Sequence, residues 1–282
     1  MITSKLAIGS AQFGMDYGIA NQIGRVNPKN VQDILNYANT HSISSIDTAQ
    51  LYGDSEKVLG NFNLSNFAVG TKIPEIDFSI KNHAVLLIER SLKNLSVEIL
   101  DYVLLHQPNQ LLSNKSSLLY SQLEYAKKTK LCSKIGVSVY SPEELDQILE
   151  RFEIDIVQLP FNILDGRWFD VIEKAKRFHI EIHARSIFLQ GLLFMREKPS
   201  FFNSWKTVWS ALDKQVLGSH MEVWEHALNY CLHKLEIDKV IVGVDSISQL
   251  RQIVQASRET YFQLDFEQIT DSKLLNPMNW RI

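Results

Sequence analysis

The sequence predicts one α/β domain over residues 1–282: a (β/α)8 barrel of the TIM type, with a long loop after its seventh strand. Three observations predict it. Short apolar runs recur eight times, near-continuous rather than alternating, which suits strands buried on both faces. Helical patterns lie between them, so strand and helix alternate along the whole chain. No linker-like stretch interrupts that alternation. A doubly wound open sheet is the structural alternative, and the count of eight favours closure into a barrel.

The runs, in order, are "LAIG" (6–9), "SSIDTA" (44–49), "FAVGTK" (67–72), "LDYVLLH" (100–106), "KIGVSV" (134–139), "DIVQLPF" (155–161), "EIHARSI" (181–187) and "KVIVGV" (239–244). After the first comes "NPKNVQDILNYAN". Asn27 is its N-cap, Pro28 occupies the first helical position, and Val31, Ile34, Leu35 and Ala38 share one face. "IDTAQLYGDSEKVLG" (46–60) reads as strand, loop and amphipathic helix. Residues 78–95 place Val85, Ile88, Leu92 and Leu95 on one stripe, and 114–129 form the next helix. "SPEELDQIL" is a capping box, with Ser141 as cap, Pro142 at the first turn and Glu144 three residues on. Helices are expected at 164–179 and 221–234. Ser246 with Gln249 makes a second capping box before Ile247, Leu250, Ile253 and Val254.

One interval is out of step. The seventh strand ends near 187 and the eighth begins near 239, and the excess, roughly 190–218, holds Phe194, Phe201, Phe202, Trp205 and Trp209. That is too aromatic for disorder. Long loops in compact domains are usually functional, so the readings are a lid over a ligand, a surface cluster or an oligomer contact.

Bulk properties exclude several classes of partner. The chain is 45% hydrophobic and 22% charged, with a net charge of −3 and no long run of one sign, so neither nucleic acid nor an anionic membrane is expected. Cys132 and Cys231 lie far apart without metal-ligand spacing, which argues for a reducing compartment, no disulfide scaffold and no metal site. "MITSKLAIGS" lacks the apolar region of a signal peptide, and no apolar run is long enough to cross a bilayer. The expectation is a cytoplasmic protein with a small-molecule partner. The sequence leaves the oligomeric state open.

In such a barrel, polar residues at the C-terminal strand ends read as site residues. The second strand ends at Asp47, the third at Lys72 and the fourth at His106. The fifth carries Ser138, the sixth Gln158 and Asn162, and the seventh Arg185. Each alone has an ordinary structural account, but Asp, Lys and His on three neighbouring strands are hard to explain that way. A buried lysine beside a carboxylate stays charged, and a nearby phenol that feels the charge has its pKa lowered. Such a phenol can protonate an alkoxide as it forms, and a histidine can hydrogen-bond and orient the carbonyl oxygen. Asp47, Tyr52, Lys72 and His106 therefore suit carbonyl reduction, given a hydride donor beside them.

These residues carry a resemblance to the aldo-keto reductases. "DTAQLYGDSEKVLG" resembles that family's signature, "GTK" its lysine strand, and "RSLKNLSVEILDYVLLH" (90–106) the segment ending in its active-site histidine. "IGVSVY", "VQLPFN", "RSIFLQGLL" and "VIVGVDSISQL" resemble later blocks in the same order, so the likeness runs from about residue 6 to 256. It implies an NAD(P)H-dependent enzyme that reduces an aldehyde or ketone. Tyr52 would be the general acid, Lys72 would lower its pKa, Asp47 would hold Lys72, and His106 would orient the carbonyl. Ser138 and Gln158 would bind the nicotinamide amide, and Gly9 would lie near the site. Arg185, Ser186, Phe188 and Gly191 would line the nicotinamide and pyrophosphate. Gly243, Ser246 and Gln249 would meet the adenosine end, at a helix N-terminus suited to phosphate. Residues 10–26, "SAQFGMDYGIANQIGRV", resemble a bacterial branch often linked to surface-sugar synthesis, which implies a sugar derivative as substrate.

The chain departs from the family pattern at several points. Val139 stands where Asn is frequent, and Arg185 where many members stack an aromatic ring on the nicotinamide; a guanidinium can also stack on a flat ring. The family usually has Arg or Lys near Asp245 and Asn near Ile253. NADPH is the family expectation. Asp245 would repel a 2′-phosphate and accept from a ribose 2′-hydroxyl, which favours NADH, unless it only caps the helix. The run before the first strand is short for the hairpin that often plugs the barrel. Two other readings stay open: a Schiff-base aldolase using Lys72, and a non-catalytic barrel that binds dinucleotide as a sensor or regulatory subunit.

Overall fold

The computed structural model describes residues 2–259, 264 and 268–280. Its eight strands are β1 Leu6–Gly9, β2 Ser45–Asp47, β3 Ala68–Ile73, β4 Leu100–Leu105, β5 Cys132–Ser138, β6 Ile156–Pro160, β7 Glu181–Arg185 and β8 Lys239–Gly243. All pair in parallel with their sequence neighbours, and the sheet closes. Closure is made by β1 and β8, in register from Leu6 with Val240 to Gly9 with Gly243. That pairing excludes the open-sheet alternative.

Among the described residues, the helices longer than one turn are α1 Pro28–Thr40, α2 Ser55–Leu59, α3 His83–Leu95, α4 Ser116–Lys128, α5 Pro142–Leu149, α6 Phe169–Arg177, α7 Lys206–Val216, α8 Val223–His233 and α9 Ile247–Ala256. Their buried faces carry the apolar residues that the periodicity selects, such as Val31, Ile34, Leu35 and Ala38 of α1. Asn27 caps α1 by accepting from the Asn30 N–H. Ser141 and Ser246 cap α5 and α9. Their reciprocal partners differ from the expected boxes by one residue. Glu144 accepts from the Tyr140 N–H at 3.1 Å, and Gln249 from the Asp245 N–H at 2.7 Å.

Two helices start later than their periodicity suggests. Before α3, Asp77 accepts from the N–H and hydroxyl of Ser79, which holds a turn. Before α6, the Asp165 carboxylate gathers the Arg167 backbone N–H and guanidinium together with the Trp168 indole N–H. These side chains offer the backbone an alternative to the helix.

The aromatic interval is a folded excursion. It contains 3-10 turns at Leu189–Phe194 and Ser200–Trp205 followed by α7. Phe201, Phe202 and Trp205 pack on one another, the Trp209 indole N–H donates to the Phe202 carbonyl at 3.1 Å, and Phe202 meets the Trp280 ring at 4.9 Å. These rings form a small core that holds the C-terminal segment. Of the five aromatic residues in the interval, only Phe194 borders the main cavity, so the lid reading shrinks to that residue. Before β1, the described residues form a 3-10 turn, Ile2–Lys5, and no strand. No helix among the described residues is long and apolar enough to cross a membrane.

Candidate active site

Tyr52 is placed by its own turn. The Tyr52 N–H donates to the Ala49 carbonyl, and the Tyr52 carbonyl accepts from the Ser55 N–H. Gly53 has φ +57°, and a Cβ there would lie 2.3 Å from the Gly14 carbonyl oxygen, so the turn can pass close under residues 10–14 only without a side chain. Ser55 then ties α2 down: its hydroxyl donates to Ser10 and contacts the Thr48 hydroxyl. Glu56 is held by Thr71 and Asn94. A local turn and these distant ties together fix Tyr52 relative to Asp47.

Asp47 and Lys72 are both buried and form an ion pair, Nζ to Oδ2 at 2.5 Å; Lys72 also donates to the Thr48 carbonyl at 3.0 Å. Lys72 Nζ lies 4.9 Å from the centre of the Tyr52 ring. The His106 ring stands edge-on to Tyr52 at 5.8 Å. The four residues expected to act together are therefore adjacent.

The structure adds a residue that sequence reasoning missed. Asp47 Oδ1 accepts from the Tyr102 hydroxyl at 2.9 Å and from Gln158 Nε2 at 2.8 Å. Tyr102 lies inside the barrel, where it reaches Asp47 on β2 and meets the His183 ring on β7 at 5.2 Å. Gly70 makes room for it: a Cβ at that position would lie 2.0 Å from the phenol ring.

The electrostatics correct one expectation. Tyr52 is pushed above the usual tyrosine range, first by burial and then by the Asp47 charge, with Arg185 opposing. The lowered phenol expected from the neighbouring lysine is therefore not found in the protein alone, where burial outweighs the nearby positive charge. Burial pulls Lys72 itself down and Asp47 opposes that shift. His106 is lowered to about 4 by burial and then by the Lys72 and Arg185 charges, so its ring is neutral at pH 7. The result is a phenol that keeps its proton, a neutral imidazole and a compensated ion pair.

These groups open on an elongated cavity of about 430 Å³. Of the residues assigned by resemblance, Gly9, Asp47, Tyr52, His106, Gln158, Arg185, Ser186, Phe188, Gly191, Gly243 and Gln249 border it, while Lys72, Ser138 and Ser246 do not. Gln158 Oε1 is buried without a hydrogen-bond partner, leaving an acceptor that a ligand amide can satisfy. Asp245 borders the far end. It is not the cap of α9, which is Ser246, and its Oδ1 is buried without a partner. Tyr17, Tyr140, Trp224, Pro277 and Met278 also border the cavity and were not singled out. Tyr140 had a signal, as the end of "IGVSVY". Pro277 and Met278 had none, since only the return of the C-terminal segment brings them there.

A closed parallel barrel brings a buried Asp–Lys pair, a turn-borne tyrosine and a neutral histidine together at one cavity. The chain belongs to the aldo/keto reductase family, whose model matches residues 5–273. Among solved structures it is similar to an aldo-keto reductase from Bacillus halodurans in its holo form, at 20% identity and a TM-score of 0.75, covering 92% of this chain and 88% of that one. It is also similar to an aldo-keto reductase from Klebsiella pneumoniae in complex with NADPH, at 18% identity and a TM-score of 0.69, covering 91% and 86%. A search of curated proteins gave no significant match.

Proposed function

We propose that the protein is an NAD(P)H-dependent carbonyl reductase in which Tyr52 is the general acid. The observation that carries this reading is the meeting of Tyr52, His106 and the Asp47–Lys72 pair at a cavity that also holds the unsatisfied Gln158 carbonyl. The cavity's residues fit a nicotinamide dinucleotide. Gln158 Oε1 would accept the carboxamide N–H, with Ser138 behind it. Arg185, Ser186, Phe188 and Gly191 border the nicotinamide and pyrophosphate stretch. Gly9 and Gly243 border the cavity without side chains, and Gln249 would meet the adenosine end, with Ser246 behind it as the cap of α9. When bound, the coenzyme supplies the hydride.

The chain's own residues do the rest. Neutral His106 donates a hydrogen bond to the carbonyl oxygen and fixes its direction. Tyr52 holds its proton at neutral pH and releases it to that oxygen as negative charge develops. Lys72 then faces a new phenolate and stabilises it. Asp47 keeps Lys72 in place through the ion pair, and Tyr102 and Gln158 keep Asp47 in place.

NADPH is the coenzyme in the Klebsiella structure and the one proposed here. The partnerless oxygen of Asp245 favours NADH as the competing coenzyme, because a carboxylate there accepts from a 2′-hydroxyl and repels a 2′-phosphate. The substrate is proposed to be an aldehyde or ketone, in particular a sugar derivative. That refinement rests on the resemblance of residues 10–26, of which Tyr17, Gly18, Ala20 and Asn21 border the cavity. The aldolase reading is disfavoured: Lys72 does not border the cavity and is committed to Asp47 and Thr48.

The test is titration with NADPH and NADH through tryptophan fluorescence, then assay of wild type and Tyr52→Phe on an aldehyde panel. Expected are coenzyme binding by both proteins and turnover by wild type alone. No binding of either coenzyme would overturn the reading. Binding without any turnover by wild type would move the protein to the regulatory class.

A further inference from the structure

Among the described residues, the catalytic end of the cavity holds one positive charge without an ion-pair partner. Lys72 is paired with Asp47 at 2.5 Å, and His106 is neutral. Among the residues bordering the cavity, Arg185 is the remaining cation. Its guanidinium donates through Nη2 to the Val139 carbonyl at 2.9 Å, contacts the Ser186 hydroxyl at 3.4 Å, and lies 4.3 Å from the centre of the Tyr140 ring. None of these partners carries charge. Glu144 is close enough to feel Arg185 electrostatically, but its Oε2 accepts from the Tyr140 N–H and no ion pair with Arg185 forms.

A guanidinium has five N–H donors in a planar fork that matches a carboxylate or phosphate. Two are used here, and the rest belong to a side chain that is partly buried against an aromatic ring. Partial burial of an unpaired charge is unfavourable, and an anionic ligand relieves it. Tyr17, Tyr52 and Tyr140, which border the same cavity, offer hydroxyl donors beside it. The opposite end carries Asp245, so the cavity is positive where the reaction occurs and negative where the adenosine would lie.

We propose that the carbonyl substrate bears an anionic group, a carboxylate or a phosphate, which Arg185 receives while the carbonyl lies at Tyr52 and His106. The proposal rests on the carbonyl-reductase reading. Its competitors are an Arg185 that serves only as a flat surface for the nicotinamide and one taken up by the coenzyme's pyrophosphate, either of which would leave the preference for an anionic substrate independent of Arg185.

The test starts from binding, which does not need turnover. Benzoate and benzamide are titrated by calorimetry into NADP⁺-saturated wild type, Arg185→Gln and Arg185→Lys. Gln keeps a donor for the Val139 carbonyl, and Lys keeps the charge if the Gln variant fails to fold. Benzoate should bind at least about tenfold more tightly than benzamide to wild type, as a charge-assisted hydrogen bond gives. That preference should vanish in Arg185→Gln and persist in Arg185→Lys. Equal binding to wild type, or a benzoate preference that survives Arg185→Gln, would overturn the proposal. In the assay arm, kcat/KM is compared as a ratio, for 4-carboxybenzaldehyde over 4-methylbenzaldehyde and for glyceraldehyde 3-phosphate over glyceraldehyde. The larger ratio names the anion. Turnover of all four with ratios near one defeats the anion site and spares the reductase. A benzoate preference without hydride transfer to any of them defeats the reductase and spares the anion site.

Discussion

Tyr102→Phe removes one oxygen atom from the interior of the barrel and leaves the ring on Gly70. The hydroxyl lies 2.9 Å from Asp47 Oδ1, and both residues are buried. A hydrogen bond to a charged group contributes about 1.5–3 kcal/mol. Asp47 keeps Gln158 on the same oxygen and Lys72 on the other, so no oxygen is left without a donor. The loss should therefore fall near the lower end, about 1.5–2 kcal/mol. For a chain of this size that corresponds to a fall in Tm of roughly 2.5–3.5 °C. The assay is urea unfolding by circular dichroism, repeated for Gln158→Leu and for the double variant. Because both donors share one oxygen, the second removal should cost at least about 0.5 kcal/mol more than the first. In turnover, kcat should fall more than KM rises, since Asp47 positions Lys72 and touches no substrate. A Tyr102→Phe protein within about 0.5 kcal/mol of wild type, with additive behaviour in the double variant, would refute the claim that Tyr102 holds the Asp47 carboxylate.

Three further predictions follow from the same geometry. His106 has a folded pKa of about 4 against an ordinary 6.5, so the unfolded chain takes up its proton first as pH falls. The His106 contribution is intact well above pH 6.5 and lost as pH drops towards 4, by about 1.6 kcal/mol between pH 6.5 and 5; urea unfolding at both pH values should show that loss in wild type and not in His106→Gln. Asp245→Arg should raise the ratio of NADPH to NADH affinity at least about tenfold, read by tryptophan fluorescence, and an unchanged ratio would place Asp245 away from the ribose. Phe202→Ala should cost about 3–5 kcal/mol and expose the segment around Trp280 to hydrogen exchange, since Phe202 is 1% exposed and packs on that ring; an unaltered exchange pattern would mean the excursion does not hold the C-terminal segment.

The sequence by itself determined what depends on neighbours along the chain. Period and composition set the strands and helices, because a side chain's face follows from its position in a regular element. Asn27, Ser141 and Ser246 mark helix starts, because a cap needs only the next three residues. Asp47, Lys72 and His106 were legible as a cluster, because strand ends of a barrel share one rim. The tertiary structure decided the rest. Closure depends on β8 meeting β1 across more than two hundred residues of chain. Tyr102 reads as one more apolar strand residue until its hydroxyl finds a carboxylate 55 residues away. Pro277 and Met278 reach the cavity only because a distant aromatic core holds their segment. The upward shift of Tyr52 was misread from spacing alone: spacing places a lysine near a phenol, but the sign of the shift is set by how much water burial removes and by which charges remain uncancelled, and both are sums over the folded surroundings.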